Sequence, residues 1–230
     1  MPLVVLALGL LVQTSPAPLR VWDLGPAGLV PATLPTGTIP VKPLAQADFN
    51  RDGLPERLVL ANDRLTIISS SGTVWQSPTG WLVVQAQITD LNHDGTPEAT
   101  LLVWRPFRPW PVDQWLPHGG RIASFQDGQG YSCHIILVGW RGRQYGELWA
   151  GSALAEPVRS FAAADLNGDK SQELVTLDGS YTEPRSAPAR ALKVWEWNGF
   201  GFSVVSVIEG TFDKLALVRA GNGHILILVP

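Results

Sequence analysis

Nine of the 20 acidic residues in this 230-residue chain fall in three short strings of one grammar. Residues 48–56 read DFNRDGLPE, residues 90–98 read DLNHDGTPE, and residues 165–173 read DLNGDKSQE. Each places Asp at position 1, an apolar residue at 2, Asn at 3, Asp at 5 and Glu at 9. Side-chain oxygens at 1, 3 and 5, a backbone carbonyl near 7 and a carboxylate at 9 are hard ligands converging on one point. That donor set suits Ca²⁺, which takes about six to eight oxygens, and does not suit zinc. An EF-hand would need a bidentate Glu at position 12 and flanking helices. Position 12 is instead Val59, Leu101 and Thr176. Asp, Asn and Gly also favour ordinary solvent turns, but three copies with the same flanks set these strings apart.

The elements that must position the loops are strands. Short apolar runs follow each string: RLVLA, ATLLVW and LVTL. Gly 23 and Pro 19 are spread along the chain, as many short strands joined by tight turns require. Hydrophobic residues make up 45% and charged residues 16%, which supplies a core and argues against disorder. An all-β fold is expected.

The three strings resemble the FG-GAP and VCBS repeats of integrin-α-like β-propellers, over residues from about 42 to the C-terminus. The resemblance implies calcium held by Asp48, Asn50, Asp52 and Glu56, by Asp90, Asn92, Asp94 and Glu98, and by Asp165, Asn167, Asp169 and Glu173. It also implies loops set between the first strands of successive blades. The family usually ends its loop with Asp, and Glu is one methylene longer. At position 6 the third copy has Lys170 where the others have Gly53 and Gly95. If its backbone is the same, Lys170 costs about 1–2 kcal/mol, and the third site is the weakest.

The loops recur after 42 and then 75 residues, whereas a four-stranded blade takes about 40–50. An insertion is therefore expected at about 105–132. LKVWEW and FSVVSVI, joined by NGFG, read as a hairpin that completes the third blade. A fourth unit begins at TFDKLALVRA and HILILVP but lacks two strands. The N-terminal LRVWDL, which resembles LKVWEW, and GLVPATL are candidates for them. Residues 211–230 and 18–45 together make one blade length, 48 residues. The expectation is a small four-bladed propeller, residues 18–230, closed by N- and C-terminal strands sharing one blade, which removes exposed edges. The alternative is an incomplete array that closes only against another chain.

Residues 1–17 have the apolar run and small-residue end of a signal peptide, without its positive n-region. No later stretch approaches the roughly 18 apolar residues of a membrane span. A secreted, periplasmic or cell-surface location is expected. Cys133, the one cysteine, can form no intrachain disulfide and reads as a small buried apolar group. Three bound Ca²⁺ would take the formal charge from −3 to +3. Dispersed Lys and Arg, with no basic stripe or recognised motif, give no nucleic-acid site.

Within the insertion, Arg105, Arg108, Trp110, Trp115 and Arg121 form the candidate ligand-binding surface, able to stack on sugars or peptides. The competing expectation is that these tryptophans pack over an adjacent blade. Trp104, Trp140, Trp149, Trp195 and Trp197 are expected between blades. No G-x-S-x-G, H-E-x-x-H or phosphate loop is present, and His93, His118, His134 and His224 share no spacing. His93 reads as a solvent-facing filler. The expected function is a noncatalytic, calcium-stabilised extracytoplasmic binding, adhesion or scaffold module for a protein or carbohydrate partner. The alternative is an extracytoplasmic hydrolase or lyase acting on carbohydrate or lipid.

Overall fold

The computed structural model describes residues 18–109, 115 and 124–230. The leader 1–17, Trp110, His118 and Arg121 lie outside the described residues. The fold is all-β: four small antiparallel sheets arranged as the blades of a four-bladed propeller.

In chain order the first strands are β1 (Arg20–Gly25), β2 (Gly28–Pro31) and β3 (Ile39–Pro40). Blade 1 is β4 (Gln46–Ala47), β5 (Glu56–Ala61), β6 (Arg64–Ser69) and β7 (Gly72–Gln76), paired in that order. Blade 2 is β8 (Leu82–Thr89), β9 (Glu98–Pro106), β10 (Tyr131–Trp140) and β11 (Tyr145–Ala150). Blade 3 is β12 (Val158–Ala164), β13 (Glu173–Asp178), β14 (Ala189–Trp197) and β15 (Phe202–Phe212). The C-terminal strands β16 (Ala216–Arg219) and β17 (Ile225–Val229) join the first three in blade 4, in the order β2-β1-β17-β16-β3.

Blade 4 closes the ring as expected, by sharing strands from both termini. Leu228 pairs with Val21 on one side and Ala216 on the other. β17 is buried at all five positions, which explains the unbroken apolar run ILILV. LRVWDL lies in β1 and LKVWEW in β14, each the third strand of its blade counted from β16 and from β12. Their likeness thus records equivalent places in the repeat. β3, two residues paired to β16 at Pro40 and Ile39, is an added edge that the sequence pattern does not announce.

Alternating apolar side chains fill the seams between blades. Phe49, Leu65, Ile67, Leu101 and Ile136 form the core between blades 1 and 2. Leu91, Leu102, Trp104, Leu137 and Phe161 form that between blades 2 and 3. Leu166, Val175, Leu192, Phe212 and Ile227 form that between blades 3 and 4. The other face of blade 4, Val218, Leu226 and Leu228, packs against Leu19, Val21, Ala32 and Leu34 of its own N-terminal segment. Trp104 is 2% exposed, and Trp149, Trp195 and Trp197 pack on the same core as Trp104. Trp140 packs between blades 1 and 2. The blade 3–4 seam is close: a Cβ at Gly28 would stand 3.0 Å from Ser206 Oγ, which accepts the Leu29 N–H at 2.9 Å.

At the centre, a channel of about 950 Å³ is lined from the β3–β4 link, β8, β12 and β16. Gln85 on β8 grips the backbone of Phe161 on β12 at both polar groups: its Nε2 donates to the carbonyl at 2.7 Å and its Oε1 accepts the N–H at 3.1 Å. That side chain supplies two of the hydrogen bonds that adjoining inner strands lack, and holds two blades at a fixed spacing.

Candidate metal centres

The three acidic loops connect β4 to β5, β8 to β9 and β12 to β13, the same place in each of blades 1 to 3. They repeat one hydrogen-bond scheme. The position-1 Asp accepts the N–H of position 6: Gly53 to Asp48 at 2.8 Å, Gly95 to Asp90 at 3.1 Å and Lys170 to Asp165 at 3.0 Å. The Asn Oδ1 at position 3 accepts the N–H of position 5, at 2.9, 3.2 and 2.9 Å in turn. The position-5 Asp accepts the N–H of position 7, at 2.8, 2.7 and 2.7 Å. These side-chain-to-backbone bonds are why Asp and Asn at this spacing form a compact turn before any ligand is considered.

Position 9 is the first residue of the second strand, so Glu56, Glu98 and Glu173 are drawn inside, at 0%, 0% and 1% exposure. Each accepts the N–H of the position-2 residue: Phe49 at 2.9 Å, Leu91 at 2.7 Å and Leu166 at 2.7 Å. Those three apolar side chains are themselves buried and pin the loop to the blade cores. The second glutamate oxygen is differently placed in each copy. Glu56 Oε1 and Glu98 Oε2 are buried without a hydrogen-bond partner, as is Asp90 Oδ1. Glu173 Oε1 accepts from Asn167 Nδ2 at 3.1 Å.

This arrangement penalises the anions. Burial pushes Glu98 up to about 8 and Glu173 to about 7. Burial, then the charge of Asp94, raises Asp90. Asp169 is lowered, chiefly by the Ser171 N–H. Among the described residues, no three Asp, Glu, His or Cys side chains are drawn together closely enough to hold an ion as they stand. At position 3 the Asn Nδ2 donates to the Oδ2 of the position-5 Asp, at 2.9, 3.1 and 3.2 Å. An amide donor thus occupies the place a cation would take beside that carboxylate. A cation entering the loop needs that amide to turn its oxygen inward. On donor chemistry the residues fit Ca²⁺: every candidate atom is a hard oxygen, and Glu56 Oε1, Glu98 Oε2 and Asp90 Oδ1 are buried without a partner.

The loops are also tied to one another. Arg51, at position 4 of the first, reaches Thr96 Oγ1 of the second at 2.5 Å. His93, at position 4 of the second, is exposed as expected, and it also bonds the Gln172 carbonyl of the third at 3.0 Å, which links the two loops. Gln172 Oε1 accepts the Asp90 N–H at 2.9 Å. Position 8 is Pro55 and Pro97 in the other copies, and that break in the pattern is the sequence signal that could have singled out Gln172. From β11, Tyr145 faces Glu56; burial and then Glu56 raise its hydroxyl pKa. Lys170 has φ +77°, matching +86° at Gly53 and +75° at Gly95. The strained backbone expected there is present.

Of the residues proposed for ligand binding, Arg105, Arg108 and Trp115 are among the described ones. Arg105 lies in β9, half-buried, 5.8 Å over the Trp81 ring and 3.3 Å from His134 Nδ1. Arg108 is exposed, and Trp115 is 79% exposed. The β13–β14 connection (residues 179–188) is a fixed strap. Tyr181 Oη donates to the Leu154 carbonyl at 2.8 Å and accepts the Cys133 N–H at 3.1 Å. Arg185 pairs with Asp127 at 2.6 Å and stacks 4.1 Å over Trp104. Cys133 is fully buried, with its thiol pushed up to about 12, so it is inert. His134, buried between Ser132 and the Gly151 carbonyl, is lowered to about 4 by burial first and Arg105 second. His224 borders the channel and bonds Asp23 at 2.6 Å. In comparisons with known proteins, no family model matches this chain and no curated protein matches it.

Proposed function

We propose that the chain is a calcium-stabilised, noncatalytic propeller module of the FG-GAP/VCBS type, acting outside the cytoplasm as a binding or scaffold unit. The buried position-9 glutamate carries this reading. A carboxylate at 0–1% exposure, three times over and each time in a loop carrying two Asp and one Asn, is an arrangement that a bound cation would stabilise. The twelve loop residues named above would hold three ions, and bound calcium supplies the positive charge that relieves repulsion within each loop. Recognition of a protein or carbohydrate falls to the β9–β10 connection, which the blade period does not require. The apolar leader supports an exported chain, and outside the cell even loops of modest affinity fill. The test is thermal melting with calcium, with magnesium and with a chelator. A higher midpoint with calcium alone is expected; superimposable curves would sink the proposal.

A second reading, an extracytoplasmic hydrolase or lyase acting on carbohydrate or lipid, draws on one observation. His224, bonded to Asp23, borders the central channel, where a carboxylate-oriented imidazole could take part in proton transfer. Turnover of an oligosaccharide or lipid-ester panel that disappears in His224→Ala, with melting unchanged, would favour it.

A further inference from the structure

Position 4 of each acidic loop has no side chain in the donor set, yet its backbone is alike in all three copies: φ is +62° at Arg51, +58° at His93 and +84° at Gly168. That left-handed conformation is free for glycine and strained for the other two. In both strained copies the side chain reaches the loop of the next blade. Arg51 Nη2 donates to Thr96 Oγ1 of the second loop at 2.5 Å and stands 3.5 Å from the Asp94 carbonyl. His93 bonds the Gln172 carbonyl of the third at 3.0 Å. Ahead of the third loop lies blade 4, whose β16–β17 connection at the equivalent place is AGNGH, residues 220–224, with no acid. Position 4 of the third loop is the glycine. Strain is thus kept in the two loops that have an acidic neighbour ahead of them and is absent from the one that does not.

The links end on the neighbour's donor set. Thr96 is position 7, the residue whose carbonyl would face the ion, and its N–H is held by Asp94 Oδ1 at 2.7 Å. Gln172 is half-buried and returns the contact, its Oε1 accepting the N–H of Asp90, position 1 of the second loop, at 2.9 Å. In the first two loops the oxygens an ion would satisfy, Glu56 Oε1 and Glu98 Oε2, are buried without partners. An ion in one loop fixes the backbone on both sides of its position 4. Through the link that also fixes the neighbour's donors, so the next ion meets a smaller ordering cost. Repulsion between the ions acts the other way, but it is reduced by the carboxylates around each ion and screened at the exposed loops.

We infer that Arg51, His93 and Gln172 are positioning residues that couple the three loops in a chain, first to second to third, so that calcium fills them with positive cooperativity. The inference rests on the calcium reading proposed above. Because coupling is reciprocal, the second loop, linked on both sides, responds most to the occupancy of its neighbours.

The test is calcium titration of the full chain followed through the amide NMR signals of Gly53, Gly95 and Lys170. Each of these N–H groups bonds the position-1 Asp of one loop, so each reports its own site. The Gly53 and Gly95 curves should be steeper than a single-site isotherm. Glu56→Gln, which disables the first loop, should weaken binding at Gly95 about fivefold or more. In an Arg51→Met background, which keeps the stem and removes the donors, the same change should move the Gly95 midpoint by less than about twofold. Arg51→Lys, which can still donate to Thr96, should restore part of the effect. Gln172→Pro, the residue the other two loops carry at position 8, should loosen the third loop from the second and leave Gly53 and Gly95 linked. Single-site curves with a Gly95 midpoint unmoved by Glu56→Gln overturn the inference and leave the calcium reading standing. An effect of Glu56→Gln that is equal with and without the Arg51 donors overturns the role of Arg51. No response to calcium at any of the three amides overturns the calcium reading and the inference together.

Discussion

Lys170 offers a clean test of how one backbone conformation was kept through three unequal copies. Its φ of +77° is one that L-residues other than Asn and Asp avoid, at a cost of about 1–2 kcal/mol. Glycine would relieve that strain but lose about 0.5–1 kcal/mol of unfolded-state entropy. The net gain for Lys170→Gly is therefore about 0.5–1 kcal/mol. Removing a cation beside Asp165 and Asp169 acts in the opposite direction, and Lys170→Ala isolates that term because alanine keeps the strained φ. The difference between the Gly and Ala variants is thus the backbone contribution alone. For a chain of this size it corresponds to a midpoint difference of about 1–4 °C. The reciprocal change, Gly95→Ala, should lower stability by a similar amount, since a Cβ there meets nothing within 4 Å and only the backbone objects. Urea denaturation in chelator, so that metal affinity does not enter, measures all three. Equal stability of Lys170→Gly and Lys170→Ala would refute the argument.

Glu98 should make the metal-free protein sensitive to pH. Its carboxyl rises from 4.5 to about 8 on folding, so the native state holds the proton more tightly than the unfolded chain. That contribution is complete below 4.5 and is lost as pH climbs to about 8, at most about 5 kcal/mol. Denaturation in chelator across this range should show the fall, and Glu98→Gln should flatten it. Trp115→Ala should change stability by less than about 0.5 kcal/mol, since the side chain is 79% exposed; a large loss in a melting experiment would place it in packing. Deleting residues 18–31 strips β1 and β2 from blade 4 and bares an edge of the wholly buried β17. The truncated chain should associate or fail to fold on size-exclusion chromatography, and a stable monomer would contradict terminal closure.

The ring was legible in the sequence because its repeat is local. Each loop bonds within nine residues, its position-2 side chain marks the core, and LRVWDL matches LKVWEW because both are third strands. Blade number and closure follow from that arithmetic. What the sequence did not disclose are side-chain meetings across long separations. Gln85 gripping Phe161, Gln172 reaching Asp90, and Tyr181 and Arg185 pinning the strap join residues whose types fit many other roles. Arg105 illustrates the converse: placed by composition in an insertion, it sits in β9, because pairing with Ser132 carries the β9–β10 hairpin that far. The 179–188 segment is a similar case, since its Pro, Ser and Arg describe a surface loop until the anchors beneath it are seen. Lys170 was readable in advance, since the conformation at position 6 is dictated by the neighbouring hydrogen bonds and not by the residue that occupies it.

The proposed function stands on three loops that would each hold one calcium ion. Isothermal titration of the chelator-stripped chain with calcium, repeated on Glu56→Gln, Glu98→Gln and Glu173→Gln, tests it most directly. Close to three ions per chain are expected, with one site weakened or lost in each variant and the Lys170 loop the weakest of the three. No binding heat at millimolar calcium, or a stoichiometry unaffected by all three substitutions, would contradict it.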